Sequence, residues 1–220
     1  MATLSPAELA LRLEHTLVRS DATRQDLEQL CAAACAQGSH GVCVCGSRVE
    51  LACSLLEDTE VKVTGLVGFP LGASDADAKR FETEAAIDLG AQEIETVLNV
   101  GRLKDGDHRY VLRELRDIAE AADQRPVKVI LEMGLLTPEQ VLLACELALD
   151  SGVHCVCNAT GLRSAATVQD IQRLRAGVGA KFGVKAAGLS DKQTALALIE
   201  AGATRIGVAE DLGVLSDNAN

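Results

Sequence analysis

The chain has 220 residues, 48% hydrophobic and 24% charged, with a net charge of −11. That length suits one α/β domain, the composition excludes a disordered chain, and the negative charge argues against binding a nucleic-acid backbone, which needs clustered Lys and Arg. No apolar run approaches the roughly 18 residues that span a bilayer, and the first ten residues, with Ser5, Pro6 and Glu8, lack the basic-then-apolar order of a signal peptide.

In chain order, Ser5-Pro6 with Glu8 predicts a capped helix start, and a first strand follows at about 13–17. Further strands are predicted at about 41–45, 61–68, 93–99, 127–132, 153–158, 182–186 and 204–208. Four segments repeat one plan, an amphipathic helix, a glycine and a short β-rich run: 31–44, 84–97, 144–157 and 195–208. Their glycines, Gly38, Gly90, Gly152 and Gly202, stand where a helix ends in the left-handed conformation. Thr137-Pro138 with Gln140 repeats the capped start. Alternating strands and helices imply parallel pairing through right-handed crossovers. Eight such units predict a single-domain (β/α)8 TIM barrel over residues 1–220, with a doubly wound open sheet as the alternative. No Gly-x-Gly-x-x-Gly follows the first strand, so no dinucleotide cofactor is expected.

The core must be aliphatic, because there is no Trp, one Tyr and three Phe. Most of the eight cysteines fall inside apolar helix or strand patterns, which suits small buried residues in a reducing cytoplasm better than disulfides. Cys43-Val44-Cys45 and Cys155-Val156-Cys157 also raise a zinc reading. These strands face each other across a barrel and tetrahedral closure looks strained, so no metal is expected.

Barrel strands alternate between the interior and the helix layer. Because the helix layer must be apolar, charged parities point inward: Glu14 and Thr16, Glu93 and Glu95, Lys128 and Glu132, and Lys185. Buried charges are costly unless paired. Glu93, Lys62 and Glu132 divide evenly between structural and functional readings. Small neighbours, Gly183, Ala186, Ala187 and Gly188, leave room for a ligand around Lys185. His15 and His154 have the opposite parity and are read as structural.

Several motifs then resemble deoxyribose-phosphate aldolases. Glu14-His15-Thr16-Leu17 resembles that family's Asp-His-Thr-Leu opening, and Val42-Cys43-Val44 its second strand. The run Gly68-Phe69-Pro70-Leu71-Gly72, the segment from Glu93 to Gly101, Lys128 to Glu132, Gly183-Val184-Lys185-Ala186 and Gly202 to Gly207 also match. The resemblance runs from about residue 12 to 210. It implies that Lys185 is the family's second lysine, that Glu95 stands for its proton-relay aspartate and that Glu14 stands for the opening aspartate. It also implies that Cys157, in Val156-Cys157-Asn158-Ala159-Thr160-Gly161, occupies the position of the lysine that forms the Schiff base. Where the family holds phosphate, this chain carries Ala186-Ala187-Gly188-Leu189 and, after the eighth strand, Glu210 and Asp211. Two carboxylates there would repel a dianion.

The resulting expectation is a lyase, aldolase or cyclase acting on a small carbonyl compound without phosphate. Lys185, Glu95, Cys157 and Lys128 are its expected catalytic groups, and Glu14, Thr16, Cys43, Asn158 and Glu210 its substrate contacts. Lys185 either forms an imine itself, with its pKa lowered by Lys128, or acts with Cys157 without an imine, Lys185 lowering the thiol's pKa. Glu210 alternatively caps a following helix. A retired aldolase kept for binding or assembly is the second reading, and residual cleavage of deoxyribose 5-phosphate the third. No cofactor, nucleic acid or membrane is expected as a partner, and a homodimer is possible.

Overall fold

A computed structural model describes residues 4–189 and 191–209 of the chain. Eight parallel strands close into a barrel in sequence order: β1 (Leu13–Leu17), β2 (Gly41–Cys45), β3 (Lys62–Val67), β4 (Glu93–Val97), β5 (Val127–Ile130), β6 (Cys155–Cys157), β7 (Gly183–Leu189) and β8 (Arg205–Val208). Glu14 of β1 pairs with Gly41 of β2 on one side and Gly207 of β8 on the other. The expected (β/α)8 barrel is therefore present, and the open-sheet alternative is not.

The helices are α1 (Pro6–Ala10), α2 (Arg24–Gln37), α3 (Val49–Leu55), α4 (Ala76–Asp88), α5 (Val100–Lys104), α6 (His108–Ala121), α7 (Pro138–Ser151), α8 (Val168–Val178) and α9 (Lys192–Glu200). Both expected capping boxes form, Ser5 with Glu8 and Thr137 with Gln140, and Asp at the third helical position makes two more, Thr23 with Asp26 and Thr167 with Asp170. Each satisfies two amides that a helix start leaves unpaired. Gly38 and Gly152 end their helices at φ 64° and 90°.

The alternation of strand residues sorts the core into two parts. Outward residues such as Val42, Ile94, Val129, Val156 and Val184 pack with the helices. Inward residues Cys43, Leu66, Val97, Ile130, Cys157 and Ala187 form a smaller cluster inside the barrel. β4 and β6 are shorter than expected, at Glu93–Val97 and Cys155–Cys157, and β5 and β7 differ in ways that bear on the site. β5 stops at Ile130, and Glu132 turns left-handed at φ 52° with its carboxylate accepting from the Thr160 amide at 3.2 Å. It therefore braces the loop after β6 instead of facing the interior from a strand. β7 runs on to Leu189, with an irregular register against β8 between Ala186 and Leu189.

Candidate active site

The inward charges meet in one buried string. On β7, Lys185 Nζ donates to Glu14 Oε1 at 2.7 Å and to Glu95 Oε2 at 2.5 Å. The other oxygen of Glu14 accepts from Lys128 Nζ at 2.6 Å, so the carboxylate from β1 bridges the lysines of β5 and β7. Lys128 Nζ also donates to Glu93 Oε2 at 2.7 Å and Thr64 Oγ1 at 3.1 Å, which uses all three of its hydrogens. Lys185 has two carboxylate partners and lines the cavity, leaving one N–H for a ligand.

Burial alone would drive these groups neutral, but the partners prevail. Burial would lower the Lys185 ammonium, yet Glu14 and Glu95 hold its pKa well above the ordinary lysine value. Burial would raise Glu14, yet Lys128 and Lys185 hold it well below the carboxylate range. Lys128 is likewise raised despite burial, chiefly by Glu14. The expectation that Lys128 lowers the pKa of Lys185 is thus overturned, because Glu14 stands between the two ammonium groups.

Above the string, at the C-terminal ends of the strands, lies a cavity of about 390 Å³. Lys185, Glu95, Thr16 and Cys43 line its depth; Val18, Leu66, Phe69, Ile130 and Leu162 give it apolar walls, and Arg19, which is ion-paired with Asp21 and Asp26, stands beside them. Ala159, Thr160 and Gly161 after β6, Ala187 and Gly188 within β7, and Gly207, Val208 and Ala209 at the end of β8 also line it. Four expected site residues, Lys185, Glu95, Thr16 and Cys43, thus reach the cavity. Glu14 and Lys128 lie behind them within the string and do not line it.

Cys157 does not line the cavity either. It is fully buried, its thiol donates to the Ala159 carbonyl at 3.4 Å, and burial pushes its pKa well up, with Glu95 adding to the rise more than Lys185 opposes it. The expectation that Lys185 lowers this thiol's pKa is corrected: in a closed apolar layer desolvation outweighs one nearby cation already bound to carboxylates. Asn158 is turned to structure, its Oδ1 accepting from the Ala187 amide at 2.9 Å. Glu210 and Asp211 lie outside the described residues. His15 bonds Ser39 Oγ at 2.9 Å, and His154 accepts from the Val127 amide at 3.2 Å, both structural contacts.

Sequence reasoning did not single out Arg19, or the pair formed by His40 Nε2 and Glu93 Oε1 at 2.8 Å. His40 stands directly before β2 and Glu93 heads β4, so alternation placed the glutamate but nothing in the pattern gave its partner. Glu14, Cys43 and Glu95 could bring three metal donors within 4.8 Å of one another. Lys185 already bonds both carboxylates, so its ammonium stands where a cation would compete.

A profile described as DeoC/LacD family aldolase matches residues 9–174. A deoxyribose-phosphate aldolase from Alkaliphilus oremlandii is 44% identical over 212 residues, covering 95% of this chain and 96% of that protein. Deoxyribose-phosphate aldolase 1 from Bacillus licheniformis is 44% identical over 211 residues, covering 94% and 95%. Among solved structures, a tetrameric deoxyribose phosphate aldolase from Aeropyrum pernix superposes with a TM-score of 0.89 at 27% identity, covering 96% of this chain and 91% of that one.

Proposed function

Because the chain belongs to the DeoC/LacD family of aldolases, we propose that it makes or breaks a carbon–carbon bond beside a carbonyl group, with Lys185 acting as a permanent ammonium and Glu95 as the proton carrier, without an imine. The observation that carries this reading is the clamp of Lys185 between Glu14 and Glu95 at the base of an open cavity. An amine must lose its proton before it can attack a carbonyl, and two carboxylates oppose that loss. The same clamp makes Lys185 a fixed positive charge where an enolate oxygen would form.

In the cleavage direction, the Glu95 carboxylate removes the proton of the substrate's β-hydroxyl. The electron pair of that O–H bond forms the new carbonyl, the carbon–carbon bond breaks, and its pair passes into an enolate whose oxygen accepts from the free N–H of Lys185. The protonated Glu95 then returns the proton to the enolate carbon. One preorganised donor in a dry site contributes about 2.7–4 kcal/mol of transition-state stabilisation. Glu14 touches no substrate in this scheme and keeps Lys185 charged.

The substrate class we infer is a small aldehyde or ketone without phosphate. The apolar walls offer few hydrogen-bond partners for hydroxyl groups, and the sequence after β8 carries Glu210 and Asp211. Cys157 at the β6 position supports an imine-free route. The eight free thiols support the cytoplasm as the compartment. A second reading, cleavage of deoxyribose 5-phosphate, is favoured by the 44% identity to proteins named for it.

The test is proton exchange. The protein is incubated in D2O with acetaldehyde, short ketones and, separately, deoxyribose 5-phosphate, and α-deuteration and cleavage are followed by NMR. We expect α-deuteration of a short carbonyl compound that Lys185→Met abolishes. Turnover of deoxyribose 5-phosphate would select the second reading. No exchange and no cleavage with any compound would overturn both in favour of a retired, binding protein.

A further inference from the structure

The charge string extends past the residues used above and ends at the opposite, N-terminal face of the barrel. From the cavity inward it runs Glu95, Lys185, Glu14, Lys128, Glu93 and His40, each bonded to the next at 2.5–2.8 Å. Its interior members are buried, whereas the His40 side chain is 22% exposed. Three carboxylates face two ammonium groups, so the string carries one uncompensated negative charge unless His40 supplies a proton. Such an excess in a barrel interior is costly, and the most exposed member of the string, on the far face, is a residue able to cancel it.

The bonds are also arranged in alternation. A charged imidazole on Glu93 weakens that carboxylate's hold on Lys128. Lys128 then binds Glu14 more strongly, Glu14 relaxes its hold on Lys185, and the Lys185 ammonium is left freer for Glu95 and a ligand. A neutral imidazole reverses each step. We propose that His40 is a positioning residue which, through Glu93, Lys128 and Glu14, sets how firmly Lys185 is held at the base of the cavity some four side chains away. The consequence for turnover rests on Lys185 and Glu95 being the working pair; the coupling itself does not. The Glu93 carboxylate of β4 meets the His40 imidazole, while the His40 main chain is held between β3 and α1: the Lys62 amide donates to its carbonyl at 2.9 Å and its amide donates to the Ala10 carbonyl at 3.2 Å.

The experiment follows the Lys185 ammonium by NMR in the full chain labelled at lysine 15Nζ, alongside the imidazole 13Cε1 signals of the four histidines. Lys185→Arg and His40→Gln assign the two signals. The expected result is an inflection in the Lys185 signal with the same midpoint as the His40 titration. In His40→Gln, which keeps a donor to Glu93 but cannot titrate, the inflection disappears and the signal rests near its high-pH limit. In His40→Arg it rests near the low-pH limit. A wild-type Lys185 signal that ignores the His40 titration overturns the proposal, as does an inflection that persists in His40→Gln. Should either variant fail to fold, the wild-type midpoints decide alone. In the D2O assay, a wild type that exchanges nothing refutes the enzyme reading and leaves the NMR coupling standing; an intact pH–rate profile in His40→Gln refutes the positioning role and leaves the enzyme reading standing.

Discussion

Cys157 on β6 lies in register with Lys185 on β7, yet the two side chains part: the thiol donates to the Ala159 carbonyl and the lysine to Glu14 and Glu95. A lysine at position 157 would stand beside an ammonium already held by carboxylates, and a neighbouring cation favours the neutral, nucleophilic amine. Cys157→Lys should therefore gain a borohydride-trapped adduct with acetaldehyde that maps to residue 157. Peptide mass mapping checks this, and an adduct-free variant that still folds would count against the inward placement of that position.

Gly207 on β8 allows the lysine its course. A Cβ added there would lie 3.0 Å from Lys185 Cε, the carbon that carries the ammonium. Gly207→Ala should displace the ammonium by a few tenths of an ångström from Glu95 and cut α-proton exchange about tenfold, the order of one misplaced electrostatic contact. Its unfolding free energy, measured in urea, should change by no more than about 1 kcal/mol. A large stability loss with normal exchange would show that the alkyl chain cannot yield there.

The string also makes the stability depend on pH at both extremes. Although burial opposes it, the bonds from His40 and Lys128 bring Glu93 from 4.5 down to about 2. A depressed carboxylate stabilises the fold above its unfolded pKa, and this support is lost as pH falls from about 4.5 towards 2. From that shift alone the loss is roughly 3 kcal/mol. Lys128 and Lys185 are raised, so their support is complete below the unfolded lysine pKa of about 10.4 and lost only as pH rises through their folded values. Urea unfolding from pH 2 to 7 should show the acid loss in the wild type and a flatter limb in Glu93→Gln.

Outside the barrel, Lys79 of α4 and Glu114 of α6 form a fully buried pair at 2.7 Å, and Lys79 Nζ also donates to the Val97 carbonyl at 2.8 Å. Burial pushes Lys79 down and Glu114 up, against the charges of the pair. Lys79→Met or Glu114→Leu alone should cost about 3–5 kcal/mol by stranding the partner, while the double variant should recover most of that loss. A double-mutant cycle in urea measures it, and additive losses would contradict the pairing.

Much of this was legible in the sequence because alternation in a strand is a strong physical constraint. Lys128 and Ile130 had to face opposite to Val127 and Val129 once the helix layer was known to be apolar, and the structure places them so. The partners were less legible. Glu14 and Lys128 are 114 residues apart and come from strands that do not pair, so only barrel closure brings them together. Without Glu14 as a bridge, Lys128 read as a cation that would lower the pKa of Lys185. Glu132 escaped for a local reason, since a left-handed residue breaks the alternation that predicted it.

The central claim, that Lys185 works as an ammonium, is tested most directly by trapping under turnover conditions. Wild-type protein is mixed with the carbonyl compound whose α-protons it exchanges, borohydride is added during exchange, and every lysine-containing peptide is mapped by mass. The account predicts sustained exchange with no reduced adduct on any lysine. A stoichiometric adduct on Lys185 would contradict it and establish an imine at the residue that the two glutamates hold charged.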